Sequence, residues 1–497
     1  MEPVFSFPLE LDRVASGQLT ATLHRALKAA IFDGRLPAGT ALPAQRRAAA
    51  ALGIARNTVL AAYDLLVAEG YVLPRPGAKA IVADVAVRRA SQKTRPAKGG
   101  EDARINALWR TPALLPEAPR LLPPRSFRVG VPEHKFFPHD VWRRLSAQTL
   151  RTSSKSGFSY PPAEGIAALR EAIAGHVAFA RAVVCTASDV VVTSGAQQAF
   201  DLLARLLVTP HVTRVAVEEP CYPALRKAFL AAGALLVPIP VDDDGLCVDQ
   251  LPANVNIVCV SPSHQSPTGA QLSLQRRAAL LRFARSHNAV VIEDDYDGEF
   301  RFGGRPLDAL QTMDRDGLVF YVGTFSKSLF PSLRKGFVVA PEWAKDKLVM
   351  VKQCVDAHCD TTTQSVLAAF IREGHLARHV RRMQPIYLER RQALLQGLAS
   401  DLSPWLAPIP GEAGLHLCAR IRQPAHAKRI MELAREHLPG CQSTAEYAMG
   451  TLQAPALIVG YGVMDAADIG TALRRLRNAV ALLRIAQTRR QDTGNQF

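Results

Sequence analysis

The chain has 497 residues, 48% of them hydrophobic and 21% charged, enough for two or three domains with substantial cores. Its formal net charge of +16 points to a polyanionic partner, nucleic acid before membrane. No run reaches the ~20 apolar residues of a membrane span, and the N-terminal Met1-Glu-Pro-Val-Phe-Ser-Phe-Pro8 lacks the basic start and apolar core of a signal peptide. The eight cysteines make no CxxC pair, and Cys354, His358, Cys359 and Asp360 follow no common metal spacing, so a reducing cytoplasm and no bound metal are expected.

Residues 1–84 read as three helices and a hairpin. Leu19, Leu23, Leu27 and Ile31 recur at helical spacing and Gly34 stops that helix. A short helix spans 44–52, ended by Gly53. A third spans 56–69, with Val59, Ala62, Tyr63, Leu66 and Val67 on one face and Gly70 at its end. Tyr71-Val-Leu73, a turn through Pro74-Arg-Pro-Gly77, and Ala80-Ile-Val-Ala83 make a small β-wing.

Residues 85–122 differ in texture, basic first (Arg88, Arg89, Lys93, Arg95, Lys98) and then proline-rich, as in a linker. The stretch reads equally as a solvated connector and as one that grazes DNA phosphates. From 123 onward, short apolar runs such as Val190-Val-Val-Thr193, Asn256-Ile-Val-Cys-Val260 and Leu318-Val-Phe-Tyr-Val322 alternate with helical stretches. That pattern means a mostly parallel sheet covered on both faces, with ligands at the carboxyl ends of its strands.

The most informative segment is Gly323-Thr-Phe-Ser-Lys-Ser-Leu-Phe-Pro-Ser-Leu-Arg-Lys-Gly336. It sets Lys327 on a small-residue loop, with Thr324 and Ser326 before it and Arg334 after it. An amine flanked by hydroxyls and a guanidinium suits a Schiff base with pyridoxal 5′-phosphate (PLP) and a grip on its phosphate. Most lysines are solvated surface residues, so the weight falls on the segments upstream. Thr193-Ser-Gly-Ala-Gln-Gln198 joins a strand to an amphipathic helix, and a glycine-led helix N-terminus suits a phosphate, although many such junctions look alike.

Glu293-Asp-Asp-Tyr-Asp297 ends another strand. A carboxylate against the pyridine nitrogen keeps that nitrogen protonated, a task that fits Asp294 and leaves Tyr296 for the phenolic oxygen. Tyr222 after Pro220-Cys221 is suited to stack on the ring, and equally to fill the core. Ser261-Pro-Ser-His-Gln-Ser-Pro-Thr-Gly269 is a polar loop behind a buried strand.

With these segments in this order, residues 123–485 resemble fold-type I aminotransferases. Nearly the whole chain resembles the MocR family within the GntR superfamily. The strings that carry the likeness include Phe127-Arg-Val-Gly-Val-Pro132, Phe137-Pro-His-Asp-Val-Trp142, Glu293-Asp-Asp-Tyr-Asp-Gly-Glu-Phe-Arg301 and Gly374-His-Leu-Ala-Arg-His-Val-Arg-Arg382. The resemblance implies Lys327 as Schiff-base lysine, Asp294 and Tyr296 on the ring, and Tyr222 stacked. It also implies Ala196, Gln197, Thr324, Ser326 and Arg334 around the phosphate. The implied fold is a winged-helix domain over 1–84, a linker over 85–122, and an α/β PLP-binding domain over 123–497 with a smaller α+β subdomain at about 341–485.

Two departures stand out. Ser266 occupies the place of the aminotransferases' Asn beside the phenolic oxygen. Ile458, in Ala456-Leu-Ile-Val-Gly-Tyr461, occupies that of the Arg that forks an α-carboxylate. Arg420 is a candidate substitute.

At the N-terminus, Leu42-Pro-Ala-Gln-Arg46, Leu52-Gly-Ile-Ala-Arg-Asn-Thr-Val59 and Ala68-Glu-Gly-Tyr71 resemble the GntR winged helix-turn-helix. The likeness sets Arg56, Asn57 and Thr58 at base edges in the major groove, Arg46 on a phosphate or base, and the wing around Gly77 and Lys79 near the minor groove. Relatives cap helices two and three with Ser or Thr; here Ala44 and Ala55 stand, at a cost of ~1 kcal/mol each.

The expected protein is a transcription regulator, a head-to-tail homodimer on double-stranded operator DNA. Its PLP domain would sense PLP or an amino compound, the missing Arg favouring PLP or an amine without an α-carboxylate. Transaminase activity would be vestigial. The rival reading is a working aminotransferase with a DNA-binding appendage.

Overall fold

The computed structural model describes residues 4–5, 7, 18–75, 78–84, 104–114, 121–155, 159–303, 308–409, 411–450, 452 and 455–494, without the side chains of 483–494. Gly77 and most of the basic linker therefore lie outside the described residues. The chain divides into two units, 1–105 and 106–497.

In the first unit, α1 (Leu19–Phe32), α2 (Gln45–Leu52) and α3 (Arg56–Ala68) are followed by an antiparallel pair, β1 (Val72–Leu73) and β2 (Ile81–Val82). The apolar stripes meet in one core built on Leu23, Leu27, Ile31, Val59, Ala62 and Leu66. Neither Ala44 nor Ala55 caps its helix with a side chain, as their methyl groups dictate. Just ahead of α2, the Tyr63 hydroxyl of α3 donates to the Pro43 carbonyl at 3.1 Å and ties the two helices together.

The second unit opens with α4 (His139–Ser153) and α5 (Ala167–Arg181), then β3 (Val190–Thr193), α6 (Ala196–Leu207), β4 (Arg214–Glu219), α7 (Pro223–Ala231), β5 (Leu235–Asp242) and β6 (Gly245–Leu246). It continues through β7 (Ile257–Val260), α8 (Leu274–Ser286), β8 (Val290–Asp295), β9 (Val319–Thr324) and β10 (Gly336–Val339). These strands form one eight-stranded sheet in the order β3-β10-β9-β8-β7-β4-β5-β6. The run β9-β8-β7-β4-β5 is parallel, while β10 lies antiparallel to both β9 and β3. Strands β3, β7, β9 and β10 are buried throughout, which explains their unbroken apolar sequences.

The rest of the unit comprises α9 (Glu342–Asp356), α10 (Thr361–Arg372), α11 (His375–Ala399), β11 (Leu406–Pro408), β12 (His416–Ile421), α12 (Ala427–His437), β13 (Gln442–Ser443), β14 (Ala456–Gly460) and α13 (Ala466–Gly494). The four strands pair antiparallel as β11-β12-β14-β13. Residues 342–372 were expected within the small subdomain. Ala344 and Leu348 instead join the core around β4 and α6, and Val366, Leu367 and Phe370 the core around β3 and β10.

Candidate functional site

The carboxyl ends of β8 and β9 and the amino end of α6 surround a cavity of about 200 Å³. Its lining includes all ten residues named from the sequence for a cofactor: Ala196, Gln197, Tyr222, Ser266, Asp294, Tyr296, Thr324, Ser326, Lys327 and Arg334. Val129, Gly130, Pro331, His416 and Tyr447 complete it.

Lys327 follows β9 by three residues, and its Nζ donates to the Gly130 carbonyl at 2.8 Å. Burial pulls its ammonium below the ordinary lysine value, against the opposing charges of Asp297 and Asp294. Asp294 sits one residue from the end of β8 and is 3% exposed. Burial pushes its carboxyl well above the usual range, Asp295, Asp297 and Glu218 add to the effect, and Lys327 opposes it. Its Oδ1 is buried without a hydrogen-bond partner. A buried, orphaned carboxylate oxygen facing a cavity calls for a donor from a ligand.

At the other end, Gly195 caps α6 with φ +84° and leads into Ala196 and Gln197, where the first helical amides have no partner within the helix. A Cβ at position 195 would lie 3.1 Å from the Arg334 guanidinium carbon, so glycine keeps this approach open. Arg334 donates to the Ser194 carbonyl at 2.9 Å, and Thr324 and Ser326 join hydroxyls at 3.0 Å. Free amides, two hydroxyls and a guanidinium together offer the donors that a phosphate takes. With an amine and an orphaned carboxylate at the far end, these side chains fit PLP.

Beyond these, Tyr296 is not alone. His264 Nδ1 lies 2.9 Å from the Tyr296 hydroxyl and 2.9 Å from Asp297 Oδ2. The buried carboxylate calls for a proton on that nitrogen, which leaves the Tyr296 proton to point elsewhere. His416, on β12, donates through Nε2 to the Pro267 carbonyl at 3.1 Å, and burial, with His264 beside it, lowers its pKa to about 3. His264, Asp297 and His416 bring donor atoms within 4.8 Å of one another, each engaged with protein groups.

The departures are visible too. Ser266 is buried in the lining. Ile458 is wholly buried among Ile409, Cys418, Tyr447 and Ala456, and Arg420 turns to an exposed ion pair with Asp243.

In the N-terminal unit, Arg46, Arg56 and Lys79 line one cleft between α2, α3 and the wing, joined by Arg75, which the sequence reading did not single out. Asn57 is exposed and Thr58 half-buried in the first turn of α3.

Arginines beside a recognition-type helix, followed by a lysine-centred PLP-type cavity in an aminotransferase fold, define a regulator-like fusion class. Residues 19–82 match the gntR family of bacterial regulatory proteins, and residues 128–476 match aminotransferase class I and II. The chain is 34% identical to the probable rhizopine catabolism regulatory protein MocR of Rhizobium meliloti, over 96% of each chain. It is 28% identical to the pyridoxine biosynthesis transcriptional regulator PdxR of Corynebacterium glutamicum, over 96% of this chain and 99% of that one. The α-aminoadipate aminotransferase LysN of Thermus thermophilus, solved with N-(5′-phosphopyridoxyl)-L-leucine, superposes with a TM-score of 0.66 at 27% identity, over 73% of this chain and 93% of that one. The chain belongs to the MocR-type GntR family, with an aminotransferase class I and II domain. Among the described residues no helix is long and apolar enough to cross a membrane.

Proposed function

We propose that this protein is a DNA-binding transcription regulator whose aminotransferase-like domain holds PLP and changes operator binding when PLP or an amino compound is present. The observation that carries the reading is the one cavity with Lys327 and an orphaned Asp294 oxygen at one end and Arg334 beside the start of α6 at the other. PLP, when bound, supplies an aldehyde for an amine and an electron-withdrawing ring.

In this reading Lys327 holds the cofactor, its ammonium made easier to deprotonate by burial. Asp294 accepts from the pyridine nitrogen, and its cost of burial is offset by that donor. Tyr296 and Ser266 hold the phenolic oxygen, and Tyr222, 41% exposed at the cavity, covers a ring face. Ala196, Gln197, Thr324, Ser326 and Arg334 hold the phosphate. Arg46, Arg56, Asn57, Thr58 and Lys79 contact DNA, Arg56 and Asn57 at base edges and Lys79 at phosphates.

A head-to-tail homodimer presents two such modules to paired half-sites. The effector shifts DNA binding by favouring one arrangement of that dimer over another.

Gel-shift binding to the protein's own upstream DNA tests the reading, comparing apo protein, protein with PLP, and PLP plus amines. A specific shift that changes with PLP or an amine is expected, and Lys327→Ala should lose the visible absorbance band while remaining folded. The intact lysine and carboxylate favour a second reading, a working aminotransferase. A kcat/KM of ~10⁴ M⁻¹s⁻¹ or more with an amino acid would establish it, whereas trace turnover would not.

A further inference from the structure

Each end of the cavity holds one cation among its described lining residues, Lys327 at one and Arg334 at the other. Arg334 belongs to the end by α6, where its guanidinium contacts the Ser194 carbonyl. Around Lys327 the charged lining group is the carboxyl of Asp294, and the remaining polar side chains there are neutral. His416 is held neutral at pH 7 by burial, with Nε2 committed to the Pro267 carbonyl.

The wall toward β14 is apolar in depth. Val129 and Tyr447 form its surface, and Ile458, fully buried, packs behind them with Cys418. Arg420, on the neighbouring strand, is drawn away to Asp243.

We propose, resting on the reading of this domain as a PLP-holding sensor, that its effector is a primary amine with no carboxylate on the amine-bearing carbon. An amine that reaches the position of Lys327 Nζ lies beside the Val129-Gly130 segment, the surface of that Ile458-backed wall, and carries its α-substituent against it. A hydrogen or an alkyl group enters that space without loss. A carboxylate there leaves water and meets an apolar wall with no guanidinium to fork it, which disfavours it. Ser266 and His416 offer neutral hydrogen-bonding partners, which suit hydroxyl substituents on the rest of the ligand.

The test uses full-length protein loaded with PLP and titrated with three pairs that differ only by the carboxylate: ethanolamine and serine, cadaverine and lysine, tyramine and tyrosine. The readouts are the visible absorbance band and the gel shift. In every pair that responds, the amine should bind at least tenfold more tightly than its amino acid. Amino acids binding as tightly as the amines, or no response from any member, would overturn the inference while PLP loading itself stood. Failure to take up PLP would sink the sensor reading beneath it, and with it this inference. Ile458→Arg should narrow the serine–ethanolamine gap at least tenfold. Because a buried arginine can impair folding, the wild-type pairs decide the matter alone.

Discussion

The amine of Lys327 is tied to the backbone carbonyl of Gly130 at 2.8 Å, two residues 197 positions apart in the chain. Gly130 has φ +66°, and a Cβ there would sit 2.5 Å from Nζ. The segment containing Phe127 and Gly130 thus forms the roof over the lysine, and only a glycine leaves the amine its room.

Gly130→Ala should therefore displace Lys327. Loss of stability from the left-handed backbone should be about 1–2 kcal/mol, a modest fall in melting temperature. PLP uptake, followed by visible absorbance, should weaken at least tenfold. Normal loading in the variant would remove the glycine from the site.

A second buried lysine, with no signature in its own segment, supports the phosphate-type end of the cavity. Lys352 has no exposed side-chain surface, and its Nζ donates to both oxygens of Asp356 at 2.7 and 2.9 Å. Asp356 in turn accepts from Gln198 at 2.7 Å, and Gln198 Oε1 accepts from the Ser194 amide at 2.7 Å. The ammonium thereby sets the turn that leads into α6. Lys352→Met should cost about 3 kcal/mol by stranding Asp356 and should weaken PLP binding several-fold in the folded fraction. Denaturant titration and PLP titration measure the two effects separately.

Stability should also fall as pH rises through the range set by Glu218. This residue is buried at the end of β4 and accepts from the Ser261 amide and Gln265 Nε2, both at 3.2 Å. Burial pushes its pKa up to about 7 from 4.5, against those hydrogen bonds. Below the unfolded value the carboxyl is protonated in both states and costs nothing; above 7 it is ionised in both, and the folded state bears the penalty. Between pH 5 and 7.5 the loss should be about 2 kcal/mol. Chemical denaturation at the two pH values should show a smaller loss in Glu218→Gln.

Arg56→Ala should weaken specific DNA binding by about 1–3 kcal/mol and leave PLP uptake unchanged, since Arg56 is exposed in the first turn of α3. Equal loss of both activities would indicate unfolding instead.

Local pattern made much of this protein legible. Leu23, Leu27 and Ile31 at helical spacing predict a buried stripe, and they are buried. Unbroken apolar runs mark strands covered on both faces, and small-residue loops after them mark the carboxyl edge. These are short-range properties, carried by residue type and spacing within one element.

Other features have no local signature. His416 and Tyr447 line the same cavity as Lys327 although nothing in their own segments distinguishes them from turn or strand residues. Helices α9 and α10 read as part of the small subdomain, yet their apolar faces pack on the large sheet, because a stripe records that it must be buried and not against what. Arg420 suits a carboxylate by residue type, but its side chain pairs with Asp243, a residue 177 positions away in the chain.

The sequence by itself determined the two-part organisation, the helices and strands, and which loops carry an amine, a carboxyl and a phosphate-type helix start, because each follows from residues close in the chain. Only the tertiary structure decided that Asp294 keeps an oxygen without a partner, that Tyr296 shares His264 with Asp297, and that Ile458 backs an uncharged wall. Those relations arise where separate elements meet, and burial and electrostatics act across that space without regard to separation along the chain.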